Sequence, residues 1–410
     1  MRQAIALSER GALEAAAAIA RQACELAGRE SGTTSAVYAN SLAVLATVLR
    51  RAGDSQSALG ILESALDVGR NGANVAPALL IWILQSLAEL REELGDLARA
   101  RDARRAVLQL TRALGDDAQP FAYSAAASRL ALVCERAGDF VEAERLYRDA
   151  LAALRAGGAP ANDVASALNN LGLGLHRGGR SAEAEQVLLE AVQLHRGTAT
   201  AEPAAFAIAL SNLGLVALET GAASRAIEPL LEAASVWRSA EIEMDLSRAT
   251  TLRLLGLAYH ALGEPGKGEL LERRALDMRR AMLGEQHIDV SKSLADLAGT
   301  YQATGDLFAA ETCYRDALAI RHAARAVADR DFGVLCSNLA GLYANMGNYG
   351  DAAEFYGQAL EVLRRALGAT HSLVAYVARA ADEVERDAHV ERGEIAVESA
   401  SAAFSLGGGQ

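Results

Sequence analysis

The stretch CSNLAGLYANMGNYGDAAEFYGQAL, residues 336–360, reads as two amphipathic helices around a tight turn. Cys336, Leu339, Ala340 and Tyr343 fall at i, i+3, i+4 and i+7, one apolar stripe of helical period. Gly347 then supplies the left-handed residue that ends a helix, and Asn348 a side chain able to cap the next one. Ala352 and Ala359, seven apart, set a second stripe of small residues that lets the two helices approach closely. ERAGDFVEAERLYRDAL (135–151) and QATGDLFAAETCYRDAL (302–318) are the same unit written again.

Taking the turn glycine as a ruler, the unit recurs at Gly53, Gly95, Gly138, Gly179, Gly221, Gly263, Gly305 and Gly347, at intervals of 41 to 43 residues. Eight residues before it stands leucine in every copy, Leu45 through Leu339, followed each time by alanine or glycine. Five after it is alanine in all copies but Gly268, and twelve after it alanine in all but Val107. Asp54, Asp96, Asp139, Asp306 and Asn348 follow their glycines as candidate caps for the second helix. Pro77, Pro120, Pro160 and Pro203 are expected in the polar links between units, and Pro265 in the first turn of a helix. Pro229 falls inside a second helix, where a kink or a late helix start is expected.

The fold class this predicts is all-α: a right-handed α-solenoid of about eight helix pairs with capping helices at both ends. The expected organisation is an N-terminal capping half repeat at 1–35, eight units over 36–371, a capping helix at 372–398 and a flexible tail at 399–410. Residues 11–28 read as a lone second helix, with Ala16 and Ala23 in register.

The order of Leu, small residue, Tyr, turn glycine and two spaced alanines resembles the tetratricopeptide repeat. The 42-residue period, ALNNLG (167–172), ALSNLG (209–214) and the links LGEQHIDV (283–290) and LGATHSLV (367–374) are similar to the longer variant found in kinesin light chains. The resemblance covers roughly residues 36–378. The coiled coil of the motor subunits is not found ahead of the repeats, which begin almost at residue 1, and repeats 1 and 2 lack the Asn-Leu signature. With an Ala-, Arg- and Gly-rich composition suited to a high-GC bacterium, the resemblance implies a bacterial relative of the repeat rather than a motor subunit.

What the resemblance further implies is a groove lined by first helices, faced by residues two, nine, ten and thirteen before each turn glycine. Nine before it come Asn170, Asn212 and Asn338, and Asn169 precedes the first of these. In peptide-binding relatives, asparagine here bonds the backbone of an extended ligand, since an amide both donates and accepts. Arg129, Arg136, Arg177 and Arg253 occupy groove positions too and are expected to form a basic stretch suited to an acidic peptide or a carboxylate. The bland reading makes these asparagines helix bridges and these arginines solvated or salt-bridged. VAPALLIWIL (75–84) is more apolar than a two-sided helix needs. It reads as extra burial against the N-terminal helix, or alternatively as a dimer or partner surface around Trp82, a homodimer through the N-terminal repeats.

Totals exclude several classes. Hydrophobic residues make up 51% but aromatics only 5%, as in a helical array packed through alanine and leucine. The formal charge of −12 argues against a general nucleic-acid binder. Cys24, Cys134, Cys313 and Cys336 form no Cys-x-x-Cys pair, and no two of the seven histidines have metal-ligand spacing, so no metal and no cofactor is expected. No phosphate-binding loop, nucleotide fingerprint or hydrolase elbow occurs, and an enzyme is the less favoured reading. No stretch is apolar over a membrane-spanning length, and a cytoplasmic location is expected. The expectation for function is a scaffold or adaptor that captures a peptide or partner protein in its groove. The alternatives are a ligand-gated regulator whose superhelix answers a peptide or small effector, and a groove-based enzyme or accessory protein of a biosynthetic pathway.

Overall fold

A computed structural model describes residues 2–72, 75–114, 120–197 and 202–391. Among these the chain forms nineteen α-helices and no strand. The expected flexible tail at 399–410 lies outside the described residues, as does the end of the expected capping helix beyond 391.

The first helices of the eight pairs are α3 (Ala36–Arg51), α5 (Pro77–Glu93), α7 (Pro120–Arg136), α9 (Ala161–Arg177), α11 (Pro203–Glu219), α13 (Leu246–Ala261), α15 (Ile288–Thr304) and α17 (Arg330–Asn345). Their partners are α4 (Ser55–Asn71), α6 (Leu97–Ala113), α8 (Phe140–Ala156), α10 (Ser181–Arg196), α12 (Ala223–Ser239), α14 (Pro265–Leu283), α16 (Leu307–Ala323) and α18 (Tyr349–Leu367). Two further helices, α1 (Arg2–Glu9) and α2 (Leu13–Ser31), come before them, and α19 (Ser372–Glu391) follows. The segment read as a lone second helix thus has a short partner: α2 is preceded by α1 across Gly11, whose φ of 80° repeats the turn 42 residues before Gly53.

All eight turn glycines are left-handed, with φ between 74° and 87°. A Cβ at Gly53 or Gly138 would meet nothing within 4 Å, so backbone conformation and not space selects glycine there. Asp54, Asp96, Asp139, Asp306 and Asn348 each accept the amide three residues on, at 3.0–3.4 Å. In the links, the Nδ1 atoms of His287 and His371 accept the amides of Asp289 and Leu373 at 3.2 and 3.1 Å, opening α15 and α19.

Prolines depart from expectation in detail. Pro77, Pro120 and Pro203 are the first residues of α5, α7 and α11 rather than link residues, because a fixed φ and a missing donor cost nothing there. Pro265 likewise opens α14. Around Pro229 no late start occurs, since α12 runs from Ala223 through the proline to Ser239.

The chain divides into two compact units, 1–212 and 213–410. In each, the alanines five and twelve after the turn glycine are almost fully buried, among them Ala143, Ala150, Ala310 and Ala317. Close approach of the paired helices is tightest at the small residue before the turn. A Cβ on Gly172 would lie 2.6 Å from Leu188 Cγ, and one on Gly214 2.5 Å from Leu230 Cγ. In the first unit, Leu79, Leu80, Ile81 and Trp82 are partly buried against the core built by α1 to α7, so the apolar excess of 75–84 packs inward in good part.

Candidate functional site

Side chains on successive first helices meet one repeat apart. In the first unit Arg50 pairs with Glu89 at 2.9 Å and with Glu93 at 2.6 Å. Arg129 lies 3.8 Å from Glu89, Arg136 3.2 Å from Glu92, and Arg177 2.6 Å from Glu135. Arg253, in the second unit, pairs with Asp296 at 2.8 Å. The expected basic stretch is therefore not a free one: each arginine faces a carboxylate of the adjoining repeat. Asn212 donates Nδ2–H to Asn169 Oδ1 at 2.8 Å, a bridge between neighbouring first helices. Asn170 and Asn338 are exposed.

The second unit holds a polar cavity of about 490 Å³ on its first-helix side. α13, α15 and α17 form its walls, and it takes in Arg253 and Asn338 among the anticipated residues. The register nine, ten and thirteen before the turn glycine delivers Asp296, Asn338, Arg253, Thr250, Lys292 and Val334 to it, and two before delivers Glu219. Lys292 Nζ stands between Asp289 at 3.8 Å and Asp331 at 3.6 Å.

Two more cations reach this cavity from the second helices, and these were not among the anticipated residues. Sixteen residues after the turn glycine the chain places Gly69, Thr111, Leu154, His195, Trp237, Arg279, Arg321 and Leu363, all buried. Four consecutive repeats thus put a polar-tipped or charged side chain where a two-sided solenoid needs only a core residue. Trp237 donates its indole N–H to Thr251 Oγ1 at 2.9 Å, while Arg279 donates to Ser293 Oγ, at the equivalent position one repeat on, and to Thr250 Oγ1 at 3.0 Å. Arg321 is compensated by Asp329 at 2.7 Å and Asp331 at 3.4 Å. For Arg279, which is 7% exposed, no carboxylate lies within ion-pair distance among the described residues. Burial and the nearby Arg253 cation hold its guanidinium below the ordinary arginine pKa. Ser291 Oγ, buried on the cavity wall, has no hydrogen-bond partner among the described residues. The sequence signal was a charge recurring 42 residues apart in a core register, legible only once the register was known to be buried.

Burial pushes the thiol of Cys313 up to about 11 and that of Cys336 up to about 12, so both stay protonated at neutral pH. Among the described residues no group of His, Cys, Asp and Glu is placed to hold a metal ion, and no helix is long and apolar enough to cross a membrane.

Models of the tetratricopeptide repeat match residues 122–197, 248–289, 290–324 and 334–373. No curated protein matches the chain. Among solved structures, BtubC (BKLC) from P. vanneervenii is 24% identical, covering 56% of this chain and 92% of its own, with a TM-score of 0.50. A Rap protein complexed with competence and sporulation factor is 12% identical over 85% of this chain and 97% of its own, with a TM-score of 0.51. The apo form of the quorum sensor NprR from B. thuringiensis is 15% identical over 80% and 88%, with a TM-score of 0.50. Helix pairs around left-handed glycines at 42-residue spacing, and repeat models matched in both units, give one answer: the chain is a tetratricopeptide-repeat protein.

Proposed function

We propose that this protein binds a peptide or a segment of a partner protein on its first-helix face, anchored in the cavity of the second unit. The observation that carries this reading is the cavity itself. It draws hydrogen-bonding and charged groups of both signs from three successive first helices, and its volume lies inside the range of roughly 300–1,000 Å³ usual for ligand sites. An extended chain laid across such repeats has a donor and an acceptor at every peptide unit, and Asn338, exposed on the cavity wall, can serve both. Asn170, exposed on the first-helix face of the first unit beside the Asn212–Asn169 bridge, is the alternative point of capture.

A ligand-responsive regulator is the second reading. What favours it is that the fold also serves a Rap protein complexed with a competence and sporulation factor and the quorum sensor NprR. Both readings place the ligand in the same cavity.

A synthetic peptide library passed over the immobilised full chain tests the proposal. Asn338→Ala changes an exposed residue, so the melting temperature should stay the same while retention of the selected peptides falls several-fold. Retention unchanged in Asn338→Ala but lost in an Asn170→Ala/Asn212→Ala variant would move the site to the first unit. No retention by the wild type would end the peptide reading.

A further inference from the structure

In repeats four to six, the residue nine after the turn glycine lies against the glycine seven before it: Leu188 on Gly172, Leu230 on Gly214 and Glu272 on Gly256. Six of the eight repeats place leucine or tyrosine in this buried register, and Arg104 of the second repeat is paired with Glu92. Glu272 is the exception: it is 1% exposed, and among the described residues no cation lies within ion-pair distance of it.

The sixth repeat alone has glycine both seven before and five after its turn. A Cβ on Gly268 would lie 2.6 Å from Gly256 O, so α13 and α14 touch backbone to backbone. Neither glycine has a side chain to interlock there. The crossing is spanned by the Glu272 stem over Gly256, and Thr300 Oγ1–H of α15 donates to Glu272 Oε2 at 2.8 Å. Oε1 has no hydrogen-bond partner among the described residues and lies 3.1 Å from where a Cβ on Gly256 would be.

α14 packs against α13 and α15, and both bring charge to bear on Glu272. α13 brings Arg253 and α15 Asp296, while α14 itself carries Glu269, which Arg273 holds at 3.0 Å. Arg253 thus acts on two carboxylates, Asp296 at the cavity and Glu272 in the core. Neutral, Glu272 leaves one uncharged oxygen unmet. Ionised, it puts charge where no ion pair answers it, and such a group draws in water or a counter-ion. Water reaching Oε1 enters on the Gly256 side, between α13 and α14.

We propose that Glu272 is a proton-operated latch in the sixth repeat: neutral, it holds the cavity walls α13 and α15 on α14, and ionised, it parts α13 from α14 at the Gly256–Gly268 crossing. The latch belongs to the fold itself and does not depend on what the cavity takes. Burial pushes the Glu272 carboxyl up to about 7, so the latch is closed in mild acid and released as pH rises through neutrality.

Hydrogen-exchange mass spectrometry of the full chain without ligand, at pH 6 and pH 8 and corrected for the intrinsic rate, reads the latch directly. Protection in α13, α14 and α15 should fall about tenfold, as a carboxyl raised from 4.5 to about 7 requires over that interval, while α7 and α8 keep theirs. Glu272→Gln cannot ionise and should hold its pH 6 protection at pH 8. Thr300→Val is the companion variant: it keeps the carboxyl but removes the bond that favours the ionised form, so its fall should extend to higher pH. An equal loss in α7 and α8 would make the effect one of whole-chain stability and overturn the latch. A fall that survives in Glu272→Gln, a Thr300→Val profile displaced to lower pH, or protection unchanged between the two pH values would overturn it equally.

Discussion

Glu272 shows at the level of one residue how this packing stores a titratable group. It lies 1% exposed on α14, with Oε2 accepting from Thr300 Oγ1 at 2.8 Å and Oε1 without a hydrogen-bond partner among the described residues. Its methylene stem packs where a Cβ on Gly256 would come within 2.6 Å, so the glycine of α13 makes room for it. Burial pushes its carboxyl up to about 7, opposed by the Thr300 bond. A proton held more tightly in the folded state stabilises it: the contribution is whole below about pH 4.5 and lost as pH rises through about 7. Between pH 5 and 8 the melting temperature should therefore fall, by the equivalent of up to about 3 kcal/mol. Glu272→Gln should flatten that fall and melt higher than wild type at pH 8. A parallel pH profile in the variant would show that Glu272 does not carry it. His195 acts in the opposite sense at lower pH, since burial pulls its imidazole down and its contribution is lost as pH falls below about 6.5.

Between helices, the ion pairs differ greatly in weight. Glu92 on α5 receives Nε and Nη2 of Arg104 on α6 at 3.0 and 2.8 Å, and Nη1 of Arg136 on α7 at 3.2 Å. Arg104's side chain is 5% exposed and Arg136's 44%. Glu92→Ala strands the buried cation and should cost roughly 3 kcal/mol, whereas Arg136→Ala removes a screened pair worth about 1 kcal/mol or less. Urea unfolding of the two variants checks the ratio, and equal losses would contradict it. At this scale the sequence was most and least legible. Glycine spacing placed all eight turns, because left-handed backbone admits few other residues, and alanine spacing placed the helix contacts. Arginine partners were not legible, because an arginine's reach spans several rotamers and its carboxylate sits some 40 residues away. The short helix α1 was passed over for a different reason. Its eight residues make only two turns, too few for an apolar stripe to recur, although Gly11 stood in register with the other turns.

Over the whole molecule the repeats are alike in frame and unlike in what they present. First helices of the first unit close their polar face with arginine–carboxylate and asparagine pairs, while those of the second surround a cavity into which Arg279 and Arg321 reach from behind. The groove register implied by the repeat family led to Arg253 and Asn338, and that part of the candidate site was readable in advance. The arginines from the second helices were not, because their register belongs to the core in the other repeats. Binding at this cavity is the central claim, and hydrogen-exchange mass spectrometry of the full chain, with and without the tightest peptide from the library, tests it most directly. Protection should rise in α13, α15 and α17 and in the last turns of α14 and α16, with the helices of residues 1–212 unchanged. Protection confined to α7, α9 and the start of α11, or absent everywhere, would contradict it.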